Sequence, residues 1–93
     1  MAFDQYAYTK YNREVKNLPE KLKEKIVQIQ KEIAESPFKG KPLKGDLKGW
    51  RSYQFTHKSN SYRLAYKIDE GEERVIFASV GTRQNFYDDL RKS

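Results

Sequence analysis

The chain has 93 residues, with 19 Lys and Arg against 13 Asp and Glu for a net charge of +6, no cysteine, and one histidine, His57. That length predicts a single domain over residues 1–93 with one modest core. The missing cysteines exclude a disulfide framework, a thiol nucleophile and a thiolate metal site, and one histidine excludes a His-rich zinc centre. No stretch approaches the roughly 20 apolar residues of a membrane span, and the N-terminus lacks the basic start and apolar run of a signal peptide. A soluble, cytoplasmic protein is expected.

Residues 2–9, AFDQYAYT, suit a first strand, with Phe3 and Ala7 on one parity and Tyr6 and Tyr8 on the other. Thr9 is placed to cap a short helix through KYNREVKNL, where Tyr11, Val15 and Leu18 share a face. Pro19 belongs in the first turn of a second helix, and Asn17 and Glu20 stand at capping-box spacing. From Pro19 to Glu35, Leu22, Ile26, Ile29 and Ile33 form one apolar stripe. A domain this small needs that stripe for its own core rather than for a partner. The pair is predicted as an antiparallel helical hairpin lying on a sheet.

Ser36-Pro37 ends the helix, because the residue before proline is pushed out of the α region. The connector FKGKPLKGDLKG carries Lys39, Lys41, Lys44 and Lys48, and reads either as a solvated loop or as a strip contacting a phosphate backbone. Its glycines lack P-loop spacing. The stretch GWRSYQFTHKSNSYRLAYKID then predicts two strands around a KSNS turn. In the second strand Tyr62, Leu64, Tyr66 and Ile68 fall on one face, with Arg63, Ala65 and Lys67 on the other. Arg63 is therefore the first functional candidate, a guanidinium held mid-sheet and matched to a phosphate. The bland alternative is an ion pair with Asp69 or Glu72. Residues 69–72 predict a turn, and ERVIFASVG a last strand covered on both faces. In the tail, Asn85 and Asp88 have capping-box spacing, and Asp88, Asp89, Arg91 and Lys92 complement a short helix's dipole. The predicted class is α+β: a small, largely antiparallel sheet in the order β, α, α, β, β, β, with an N-terminal helical hairpin packed on one face and a short C-terminal helix.

The positive balance suits nucleic acid or an acidic protein segment as partner, or simply a solvated surface. Seven Tyr, five Phe and one Trp shift the balance toward RNA or DNA, since rings stack on bases.

The helical hairpin, PLKGDLKGWRSYQF, SYRLAYKID and the strand ending SVGTRQNFY together resemble the RelE/ParE superfamily of bacterial and archaeal type II toxins over nearly the whole chain. The most specific pieces are YRLAY, with Arg63 in the family's arginine position, and G-x-R-x-x-x-Y at Gly81, Arg83 and Tyr87. The resemblance implies a microbial RNase fold with a concave active face, neutralised by a cognate antitoxin that wraps it. It implies mRNA and the ribosome as further partners, no membrane, operator DNA only through the antitoxin complex, and no cofactor or metal. RelE-like members cut mRNA in the ribosomal A site. By position Arg63 and Arg83 match phosphate-binding and transition-state arginines, and Tyr87 a tyrosine that stacks on a base or takes part in proton transfer. The chain departs from RelE where paired lysines precede the arginine strand: here stand Ser52, Tyr53 and Gln54.

Such cleavage needs the 2′-OH deprotonated, the 5′-oxygen protonated and the phosphorane's charge stabilised. Arginine serves only the last task, its pKa being too high for a base. For proton transfer the candidates are His57, whose ordinary pKa of about 6.5 suits the task, Lys58, Tyr87, and the pair Asp88 and Asp89. His57 also reads as a plain surface histidine. Lys44, Lys48, Arg51 and Lys58 are candidate RNA contacts, Arg51 equally a strand-start ion pair. The competing expectations are a ParE-like inhibitor of DNA gyrase and a catalytically degenerate antitoxin-binding homologue.

Overall fold

The computed structural model describes residues 2–82. Arg83, Tyr87 and the helix predicted around Asn85 and Asp88 lie outside the described residues. In chain order come β1 (Asp4–Ala7), α1 (Thr9–Lys16), α2 (Glu20–Glu35), a 3-10 turn (Pro37–Lys39), β2 (Lys41–Pro42), a second 3-10 turn (Gly45–Leu47), β3 (Arg51–His57), β4 (Asn60–Asp69) and β5 (Arg74–Thr82). The strands form one sheet in the order β1-β5-β4-β3-β2. Only β1 and β5 run parallel; the other pairs are antiparallel. The α+β expectation of a mostly antiparallel sheet with two helices agrees, but the sheet has one strand more than predicted, because Lys41-Pro42 pairs with Ser52 and Arg51.

The helical stripe is core. Leu22, Ile26, Ile29 and Ile33 are at most 3% exposed, and with Tyr11 they pack on Leu64, Tyr66, Val75, Phe77 and Val80. Each such aliphatic contributes on the order of 1.5–3 kcal/mol by leaving water, so this face is not a partner surface. Tyr11 stacks on Phe77 with ring centres 5.6 Å apart, and its hydroxyl donates to Gln30 Oε1 at 2.7 Å. Burial, and then the nearby Glu14, push that hydroxyl's pKa well above the ordinary tyrosine value.

Both predicted caps fail, for local reasons. Thr9 is already the first residue of α1, and the N-cap position falls to Tyr8, with no side-chain hydrogen bond. Asn17 is spent ending α1 as its C-cap, so Pro19, not Asn17, precedes α2 and no capping box closes.

The central hairpin is tighter than the four-residue turn expected. His57 pairs with Asn60, leaving Lys58 and Ser59 alone at the tip with φ of 49° and 68°. Two left-handed residues are the signature of a type I′ turn, whose twist matches that of the strands. In β4 the predicted alternation holds: Leu64 and Tyr66 join the main core, with Tyr62 and Ile68 packed against it. A bulge at Ala78, between the pairs Ala65–Ser79 and Tyr66–Phe77, adds one residue to β5 and keeps both strands in phase with the helices.

On the far face, Ala65 and Ala78 meet Leu47 of the second 3-10 turn, with Tyr8, Leu43 and Trp50 packed around them. Trp50 stands edge-on to Tyr8 at 6.3 Å, and Lys67 Nζ lies 4.7 Å over its ring. Gly49, at φ 100°, supplies the backbone turn that brings Trp50 there. Half of this face is thus sealed by the connector.

Candidate functional site

The half that no described residue covers begins one row further along the sheet. Strand pairing sets Arg63 between Gln54 on β3 and Gly81 on β5, on the side away from the helices, since its neighbours Tyr62 and Leu64 face the main core. The next row is Lys41, Ser52, Ala65 and Ser79. Gly81 has no side chain to crowd Arg63, and an added Cβ there would meet nothing within 4 Å.

A hollow of about 410 Å³ opens over these rows, walled by Arg63, Gln54, Ser52 and Tyr53 from the strands and by residues 39–43 of the connector. Among the described residues its wall holds three cations, Lys39, Lys41 and Arg63, and no carboxylate. Asp69, considered above as a partner for Arg63, instead pairs with Arg74 at 3.1 Å. Lys39 is held by Glu32 at 3.3 Å and lies 5.6 Å over the Tyr53 ring. Gln54 Nε2 donates to Ser61 Oγ at 3.2 Å, which fixes its amide beside Arg63.

The connector wall is latched to the sheet by two side chains. Tyr66, fully buried, donates its hydroxyl to Pro37 O at 2.7 Å and accepts from Gly40 N–H at 2.9 Å. Burial raises the pKa of that hydroxyl, against the lowering effects of the Gly40 hydrogen bond and of Arg51. Arg51 donates from Nε and Nη2 to Gly40 O at 3.0 and 2.7 Å, and from Nη2 to Phe38 O at 3.0 Å, with its guanidinium 5.3 Å from the Phe38 ring centre. Only glycine fits at the junction: a Cβ on Gly40 would come within 2.6 Å of Tyr66 Oη and 2.9 Å of Ser52 O.

The other sequence candidates are scattered. The guanidinium of Arg51 is engaged in the latch rather than turned into the hollow. Lys44 and Lys48, both exposed, flank the second 3-10 turn and are absent from the hollow's wall. Lys58 is at the hairpin tip. His57 has the parity of Tyr53 and Phe55, which pack toward the helices, so alternation carries it to the face opposite Arg63. Arg83 and Tyr87 lie outside the described residues. Lys39 and Lys41 do line the hollow. In the sequence they are connector cations without a face, because a two-residue strand carries no periodicity. Among the described residues no three His, Asp or Glu side chains are grouped to hold a metal, and no helix is long and apolar enough to cross a membrane.

A family profile, the ParE-like toxin of type II bacterial toxin-antitoxin systems, matches residues 6–91. No curated protein matches. Among solved structures, the toxin-antitoxin complex RelBE2 from Mycobacterium tuberculosis contains a chain similar at 26% identity and TM-score 0.80, covering 89% of this chain and all of that one. Free toxin RelE from Escherichia coli, in a mutant form, is similar at 23% identity and TM-score 0.79, covering 99% and 97%. An archaeal RelE-RelB complex from Pyrococcus horikoshii shares the fold at 12% identity and TM-score 0.64, covering 90% and 98%. With the profile spanning all but the ends of the chain, and a RelE-like sheet beneath a helical pair, the protein is a type II toxin-antitoxin toxin of the RelE/ParE family.

Proposed function

We propose that the protein is a metal-independent, ribosome-dependent mRNA endonuclease that arrests translation in the cytoplasm and is neutralised by a cognate antitoxin, meeting operator DNA only through that complex. The observation that carries this reading is Arg63, seated mid-strand on the face away from the helices, over a hollow whose wall among the described residues has cations and no carboxylate. Such a wall favours a phosphodiester, and preorganised positive charge is often the largest catalytic term where negative charge develops. Arg63 then stabilises the phosphorane as the 2′-OH attacks the adjacent phosphorus. By motif position Arg83 is assigned the second guanidinium, and Tyr87 base stacking or proton transfer. Similar structures support an antitoxin partner, since they are complexes of a toxin with its antitoxin.

A second reading has its own support. At the two β3 positions flanking Tyr53 on the open face, this chain has the neutral Ser52 and Gln54, which suits a ParE-like gyrase inhibitor or a degenerate antitoxin-binding homologue. Induction in cells, followed by primer-extension mapping of transcripts, separates the readings. Cuts within coding frames are expected, whereas intact mRNA with broken DNA would establish gyrase as the target.

A further inference from the structure

The hollow is wider than one phosphate requires, and its charge is unevenly supplied. Strands β3 and β4 give it a single cation, Arg63; the other two, Lys39 and Lys41, come from the connector. Lys41 shares a row with Ser52 and Ala65, so its side chain stands on the same face as Arg63. It is exposed and makes no ion pair among the described residues. From an interstrand spacing of ~4.8 Å and a rise of ~3.4 Å per residue, two strands across and two residues along, the Lys41 backbone is about 12 Å from that of Arg63. Long flexible side chains at that separation are able to span neighbouring phosphates of one extended strand.

We propose that Lys41 forms a second phosphate subsite for single-stranded RNA, gripping the strand at least one linkage away from the phosphate held at Arg63; Lys39, paired with Glu32, only borders it. This rests on the reading of Arg63 as the partner of the cleaved phosphate. Ser52 and Gln54, between the two cationic positions, offer a hydroxyl and an amide to the intervening sugar or base edge. An acidic peptide is the less suitable occupant, because a peptide added at the β2 edge would bond main-chain groups in the plane of the sheet, while Lys41 and Arg63 stand on its face. The latch formed by Tyr66 and Arg51 has a matching role: it holds the connector wall, and hence Lys39 and Lys41, at a set distance from Arg63.

The test is binding of a short single-stranded RNA made uncleavable by 2′-O-methyl groups, measured by fluorescence anisotropy from 50 to 300 mM salt. Lys41→Ala should weaken binding several-fold at low salt and reduce the slope of log affinity against log salt by about 0.7, the share of one phosphate contact on a single strand. Lys25→Ala, on the exposed side of α2, should change neither. Unchanged affinity and slope in Lys41→Ala, with wild type cutting mRNA on ribosomes, would overturn the subsite and leave the proposed function standing. A Lys41-dependent slope in a protein that cuts no mRNA would support the subsite and remove the nuclease reading. If Lys41→Ala left RNA binding intact but abolished competition by a poly-glutamate peptide, the groove would belong to an acidic protein segment and the proposal would fall.

Discussion

The two halves of the face turned away from the helices are built from the same strands and end up with opposite characters. Over Ala65 and Ala78 the chain places small residues and closes the gap with Leu47, Trp50 and Tyr8. One row along, over Gln54, Arg63 and Gly81, nothing among the described residues closes the gap and the wall is cationic. The difference lies in the connector, which folds down onto one half and stands back as a wall beside the other. A short irregular segment thereby divides a sheet face between a sealed half and the proposed site.

Removing support from beneath both halves should have the largest effect on stability. Ile26→Ala, at a fully buried position, is expected to cost about 2–5 kcal/mol, read by urea denaturation, while activity per folded molecule stays constant. Tyr66→Phe sharpens the contrast. It leaves the buried Gly40 N–H and Pro37 C=O without the hydroxyl that joins them, costing about 1–3 kcal/mol, and it should lower RNA affinity by loosening the wall. Gly40→Ala attacks the same junction sterically. Because one of the crowded atoms is the Ser52 backbone oxygen, a loss of about 1–3 kcal/mol is expected; an unchanged melting temperature would show that the latch yields easily.

The smallest effect is in pH. Burial raises the pKa of both Tyr11 and Tyr66 above the ordinary value near 10. Below that value both states keep their protons and the stabilisation is complete. Above it the unfolded chain releases protons that the folded one retains, so stability falls as pH rises. Thermal melts from pH 8 to 11 should show a decline beginning near pH 10, shallower in Tyr11→Phe.

The sealed core was largely legible in the sequence and the site only in part. Leu22 to Ile33 and Tyr62 to Ile68 repeat their periods over long enough runs to assign the buried face, and Arg63 stood out because alternation put a cation opposite that face. The connector had no such signal. Lys41-Pro42 is too short to show a period, and the pairing with Arg51 and Ser52 that turns Lys41 onto the open face is a tertiary event. Arg51 shows the same limit: beside Trp50 it reads as an RNA contact or a strand-start ion pair, and the carbonyls it binds belong to residues 38 and 40, more than ten positions away. His57 stood out by chemistry alone, and alternation along β3 then separated it from Arg63. The cap at Asn17 failed because the link between α1 and α2 is so tight that one residue cannot serve both ends, and the cap at Thr9 failed because α1 already begins there.

The most direct measurement is single-turnover cleavage of mRNA on programmed ribosomes by wild type and by Arg63→Ala, with circular dichroism verifying that both are folded. Wild type should cut within the A-site codon, and the variant should be slower by about a hundred-fold or more, the usual cost of removing one preorganised charge-stabilising group. Equal rates in the two proteins would contradict the account.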